Sequence, residues 1–364
     1  MTPCHGFEGV VEQWKTSRHF AAYVANLDGE EVESWTGAKS CGNCHAIDGI
    51  EMRVNDEVGY TGTVGPEDAP HGQINYRRST DGAITESIYQ GQATVAVVHC
   101  STCHVTEGDA DPHKTGGDYV PGSFELRVPT ETDGYALIEK SATVGMSTGT
   151  ATQNYGSGHA CMWCHKSRKD VTNYIAASTI NITSSHWGPH DGPHTDIYTG
   201  EGGYEYTGKT YGQSTHQLAL ENGCVNCHMP AIEENMGVGN HSFYPQLSAC
   251  TAQCHRTATS FDINNGQTDT KFALQRLRET LNTLLMLTRD GVNPLSAEEL
   301  ADEEWRHDEA LPKNGVPQGQ AGALYNYFIV ARGSAFGVHN PTYTSQLLYD
   351  SIEASGGSLT GISR

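Results

Sequence analysis

The sequence is short of the residues from which an ordinary core is built. Apolar residues make up only 37% of its 364 positions, while glycine alone takes 41. Ordering each backbone residue costs roughly 1–2 kcal/mol, so a chain long enough for two or three domains would be marginal on aliphatic burial alone. Large planar apolar cofactors would fill what the side chains leave empty. Basic residues are scarce too: 22 Lys and Arg stand against 43 Asp and Glu, a formal net charge of -21. Nucleic-acid affinity rests on cations that neutralise phosphates, so this balance excludes a nucleic-acid partner and argues against docking on anionic lipid. No run of 18 or more apolar residues occurs, which excludes a membrane-spanning helix on the sequence pattern.

Cysteine is what the chain does have, 11 in all. Four pairs are spaced Cys-x-x-Cys-His: Cys41 and Cys44 with His45, Cys100 and Cys103 with His104, Cys161 and Cys164 with His165, and Cys224 and Cys227 with His228. Each is the pattern of c-type haem attachment: two thiols add to the porphyrin vinyl groups, and the adjoining imidazole lies under the iron as proximal ligand. A disulfide framework gives no reason for a histidine after every second cysteine. Zinc would need two such pairs at compact tetrahedral spacing, whereas these begin at residues 41, 100, 161 and 224.

A fifth site, Cys250-Thr-Ala-Gln-Cys254-His255, has one extra residue in its spacer. A sixth is half present, Cys4-His5, with Met1 in the place of its first cysteine; a cysteine just before Met1 would give the three-residue spacer of the fifth site. Either that haem hangs on one thioether, or a preceding cysteine was lost in defining the start. Residues Met1 to Val11 carry no apolar leader. Haem attachment of this kind requires export, so the numbering is expected to begin on a processed or truncated chain. Six haem c groups are expected, with five as the minimum.

Six histidines (His5, His45, His104, His165, His228, His255) serve as proximal ligands, and 12 of the 18 remain for the distal side. Two imidazoles per iron give low-spin haems with no open position, suited to electron transfer and not to substrate chemistry. Distal candidates are His19, His216, His241 and His339, together with His186 and His190 from the cluster His186-Trp-Gly-Pro-His190-Asp-Gly-Pro-His194. That cluster could instead hold zinc or copper through three imidazoles. His113, in Asp111-Pro-His113-Lys, is a further candidate. His99 and His159 lie close to a first cysteine and could reach a neighbouring haem, while His307 sits in an acidic run that suits a solvated surface.

The expected fold is mainly α plus irregular coil, with little regular secondary structure around a stacked haem core. Residues 1–260 carry every haem site and promise short helices and loops. Residues 261–364 read as a helical region packing on that core. Lys271 to Thr288 bears a helical leucine stripe, Ser296-Ala-Glu-Glu299 is a capping-box start, and Ala321–Ala331 and Tyr343–Ala354 read as two further helices.

Several blocks together resemble a known family. They are Trp14-x-x-Ser17-x-His19, Cys161-Met-Trp-Cys164-His165-Lys, and the 186–194 loop running into Gly202-Gly-Tyr-Glu-Tyr206. To these are added Gly223-Cys-Val-Asn-Cys-His-Met-Pro230 and Gly337-Val-His-Asn-Pro341. The chain resembles the multihaem c-type cytochromes related to cytochrome c554, nitrite reductase and hydroxylamine oxidoreductase, which include extracellular cytochromes that polymerise into filaments. The resemblance implies closely stacked haem pairs, distal ligands at His19, His190, His216, His241 and His339, and a distal ligand donated between subunits where filaments form. The expected role is extracellular electron transfer as a homopolymer at the cell surface, passing electrons from redox partner proteins to outside acceptors. A periplasmic shuttle or a reductase of nitrite, hydroxylamine or a sulfur oxyanion is the alternative. Relatives that reduce nitrite often mark the open iron with Cys-x-x-Cys-Lys, a motif absent from this sequence.

Overall fold

The computed structural model describes residues 9–21, 77–78, 84–86, 98, 100–106, 125–126, 155–162, 164–167, 169–232 and 238–364. Cys4, His5, Cys41, Cys44, His45, His99 and His113 lie outside the described residues. The chain divides into two compact units, one formed by Met1–Ala136, Thr150–Cys164 and Glu221–Arg256, the other by Leu137–Gly149, His165–Leu220 and Thr257–Arg364. The composition shift suggests one boundary near residue 260, whereas the C-terminal helices share their unit with 165–220.

In the first unit the described helices are short: Val10–Lys15, Cys100–Cys103, His159–Met162, Cys224–His228 and Leu247–Gln253. Isolated helices of one or two turns are unstable in water, so these depend on what they pack against. Trp14 is tied down by its indole N–H, which donates to the Val98 carbonyl at 2.9 Å.

Three longer helices build the second unit: Gly266–Thr283, Gln318–Ala331 and Pro341–Ala354, each packed against the other two. Every residue of the Gln318 helix from Ala321 to Ala331 is buried. A helix apolar all round belongs in an interior, and this one lies in the middle of the core. Thr179–Ile182 pairs antiparallel with Lys313–Pro317 beside it, with Ile180 opposite Val316. At Gly322 any side chain would overlap the Tyr204 ring. Asn326, fully buried one turn on, accepts from Tyr204 N–H at 2.7 Å and donates back to the Tyr204 carbonyl at 2.9 Å. The Gly202–Tyr206 segment is thereby clamped to the helix.

The leucine stripe overshoots its helix. The helix closes at Thr283, Leu285 turns into the left-handed region (φ 55°), and Leu287–Thr288 becomes a strand against Glu309–Ala310. Met286 and Leu287 are completely buried there. A short apolar run reads alike as buried helix or buried strand, which is why the pattern did not show the stop.

Ser296 caps its helix reciprocally, its hydroxyl accepting from Glu299 N–H while the Glu299 carboxylate accepts from Ser296 N–H at 2.8 Å. Ser296→Ala is expected to lower the unfolding free energy by about 1 kcal/mol, read from the denaturant midpoint. No change would mean that this short helix forms without its cap.

A polar cluster lies under the same region. Arg278 and Asp308 have no exposed side-chain surface and form a two-point pair, Nε to Oδ2 at 2.7 Å and Nη2 to Oδ1 at 2.8 Å. Tyr327 donates to Asp308 at 2.6 Å, and Arg289 bridges Asp308 to Asp302. Among the described residues no helix is long and apolar enough to cross a membrane.

Candidate functional site

Each motif cysteine pair that the structure describes sits on or at the end of a helical turn. Residues three or four apart on a helix share a face, so one turn presents both sulfurs of a pair to the same side. In the second motif the His104 N–H donates to the Cys100 carbonyl at 2.8 Å; in the fifth, the His255 N–H donates to the Cys250 carbonyl at 2.9 Å. The extra residue of the fifth spacer is thus taken up by a wider turn, and the histidine keeps the same relation to its first cysteine. The eight described cysteines form no disulfide with one another. Cys161 and Cys224, the first cysteines of the third and fourth motifs, hydrogen-bond to each other, which raises the Cys161 pKa and lowers that of Cys224.

The first unit also brings imidazoles together. The rings of His104 and His241 lie 6.3 Å apart, centroid to centroid, tilted by 32°. Metal–imidazole bonds of roughly 2.0–2.1 Å, as found for zinc, put two imidazoles on opposite sides of one ion with centroids about 6 Å apart. His241 Nδ1–H donates to the Gly239 carbonyl at 2.7 Å and its backbone N–H donates to Gln13 Oε1 at 2.9 Å. That fixes the tautomer in which Nε2 keeps its lone pair, the second-shell arrangement usual for a ligating histidine. Burial, with a smaller contribution from nearby His104, pushes the His241 pKa down, so the ring stays neutral and able to ligate.

Phe243 organises its neighbours in the same unit. Its carbonyl accepts from His228 Nδ1 at 2.8 Å, and its ring meets His19 edge-on at 4.7 Å and His241 at 5.9 Å. It does so from a left-handed backbone (φ 59°), an unusual conformation for a bulky residue and one that marks constrained sites. Nothing in the sequence around Phe243 announces this role.

In the second unit His165 and His194 face each other at 5.3 Å with a 31° tilt, and His339 stands edge-on to His194 at 5.1 Å. His194 and His339 line a small apolar cleft with Ile197, Ile329, Val330 and Phe336. His216 donates from Nδ1 to the carbonyl of Val338, next to His339, at 2.8 Å.

The 186–194 loop divides. His186 is exposed, 3.9 Å from Glu309, and His190 is exposed with Nδ1 donating to the Asp191 carbonyl at 3.1 Å. His194, one of the two histidines that follow a Gly-Pro in this loop, is the one turned inwards. Among the described residues no three His, Cys, Asp or Glu side chains converge as a metal site, so the zinc or copper reading of the cluster finds no support. His159 is fully buried and accepts the Tyr155 N–H at its Nε2, a local structural bond. His307 is exposed beside Glu304, as its acidic surroundings suggest.

No family model, no curated protein and no solved structure matches the chain.

Asn181 and Asn240 both fit the sugar-acceptor pattern. Asn181 is exposed, whereas Asn240 is buried and its side chain accepts from Ser242 N–H at 2.9 Å.

Proposed function

We propose that this chain is a multihaem c-type cytochrome that conducts electrons outside the cytoplasm, as the repeating subunit of a polymeric filament. The observation that carries the reading is the His104–His241 pair: a motif histidine faces a second imidazole at the spacing that two axial ligands require, with the second ring locked in the ligating tautomer. Beside it stand the motifs themselves, whose cysteines and histidines share helical turns.

Haem c supplies a one-electron couple at iron and an extended conjugated edge. The chain's own residues do the rest. Cys100 and Cys103, Cys161 and Cys164, Cys224 and Cys227, and Cys250 and Cys254 would hold the macrocycles by thioether bonds, and the motif histidines would ligate their irons. Histidines from other segments would supply the second imidazole, a ligand set suited to electron transfer and not to substrate chemistry. Neutral imidazoles, with methionine absent from the axial positions, favour low potentials. The net charge of -21 keeps separate chains soluble and steers basic partners towards the surface.

Electron microscopy of the native material from the cell surface tests this form of the proposal. Long filaments with a regular repeat are expected. Discrete particles would overturn the filament. If they also showed high-spin ferric iron and bound carbon monoxide when reduced, a multihaem reductase would replace the conduit.

A further inference from the structure

We propose, resting on the haem reading above, that His194 is the second axial ligand of the iron held by His165, and that His190 is not a ligand of that iron. The family resemblance names His190 among the distal ligands without pairing it with an iron; the geometry sets His194, four residues further on, against His165. The His165 and His194 rings are tilted by 31°, almost the tilt of the His104–His241 pair, and stand 5.3 Å apart against 6.3 Å. Parting them by about 1 Å therefore brings them to the separation that imidazoles on opposite sides of one metal adopt.

The two segments are joined by backbone and not merely by a side-chain contact. Thr195, the residue after His194, donates from its N–H (2.8 Å) and its hydroxyl (2.6 Å) to the His165 carbonyl. Asp196, the next residue, accepts the N–H of Ser167. His165 and His194 are thus set opposite each other by three hydrogen bonds that involve neither imidazole. Gly192 completes the arrangement. Its φ of +74° is one that glycine adopts freely, and a Cβ there would come within 3.1 Å of His165 Nδ1 and 3.8 Å of His194 Nε2. A side chain there would press on His165 alone, since 3.8 Å is ordinary contact with His194. On its other side His194 borders the apolar cleft with Ile197, Ile329, Val330 and Phe336, so the ring lies between apolar walls. His190, in contrast, lies in solvent with its Nδ1 on its neighbour's carbonyl.

The test uses the full chain matured with covalent haem, and compares His194→Ala with His190→Ala by electron paramagnetic resonance, electronic absorption and intact mass. For His194→Ala the expected result is an unchanged covalent haem count with one iron converted from low to high spin, returned to low spin by added imidazole. His190→Ala is expected to match the parent. A His194→Ala protein that keeps its haem count and stays wholly low-spin would overturn the assignment, as would a high-spin iron in His190→Ala. Should the alanine variant fail to fold, His194→Met keeps the side-chain volume and replaces nitrogen by sulfur. One haem with a sulfur-to-iron absorption band and a raised potential is then expected, and unchanged absorption and potentials overturn the proposal. A parent chain without covalent haem fails at the earlier step, since the haem reading itself then falls.

Discussion

Replacing His241 with alanine is expected to turn one iron of the set high-spin and open it to carbon monoxide while the others stay as they are. The reason is geometric. His104 is committed by its motif to one axial position, and His241 faces it at 6.3 Å with its Nδ1 proton given to the Gly239 carbonyl. Removing that imidazole leaves no other ring locked at that place, whereas the thioether bonds from Cys100 and Cys103 keep the haem in position. His241→Met is the companion variant. A sulfur ligand raises the potential of its haem, here by on the order of 0.1 V within the roughly 0.8 V that axial ligands span. Potentiometric titration is expected to show one component moving up while the rest hold. If every component moved, His241 would be acting on the whole fold and not on a single iron.

Arg278→Met is expected to destabilise the second unit by about 1–3 kcal/mol, because it removes the two-point partner of the buried Asp308 carboxylate and leaves it Arg289 and Tyr327. Neither side chain has any exposed surface, and the pair is held at two points. Asp308→Leu in the Arg278→Met background should recover a large part of the loss, since an apolar pair of similar volume often matches a buried ion pair. Arg289 and Tyr327 would still lack their partner, so recovery is expected to be incomplete. Denaturant unfolding of the three proteins measures this directly. A single-variant loss below about 1 kcal/mol would show that Arg289 and Tyr327 suffice to hold Asp308.

The neighbouring Asp302 gives this cluster a pH signature. Hydrogen bonds from Arg289 hold its carboxyl well below the ordinary aspartate range, against the opposing effect of burial. A depressed carboxyl stabilises the fold above its unfolded pKa of about 3.9 and loses that contribution as pH falls towards the folded value. Unfolding measured from pH 5 down to pH 2 is therefore expected to weaken less steeply in Arg289→Met than in the parent. Equal slopes would remove Asp302 from the acid response.

The proposed haem attachment rests on covalent spacing alone: Cys-x-x-Cys-His needs one helical turn and nothing from elsewhere in the chain. The distal side is not written that way. Gly188-Pro-His190 and Gly192-Pro-His194 are the same triplet twice, yet one histidine points to solvent and the other to His165, and only the path of the backbone after Asp191 separates them. Phe243 is still less visible, since its part depends on a left-handed backbone and on His19 and His228, both remote in sequence. Among the helices, 318–331 and 341–354 follow from their apolar patterns, and the Ser296 cap from its residues. The stop at Thr283 does not, because Met286 and Leu287 are as apolar in a buried strand as they would be in a helix.

The central claim is that the chain carries covalent haem at every motif, and the most direct measurement is the intact mass of the purified, denatured protein with its haem absorbance. The account predicts a mass raised by five or six haem groups that survive denaturation, with the motif cysteines unavailable to thiol reagents. A mass equal to the bare chain, with those thiols free to react, would contradict it.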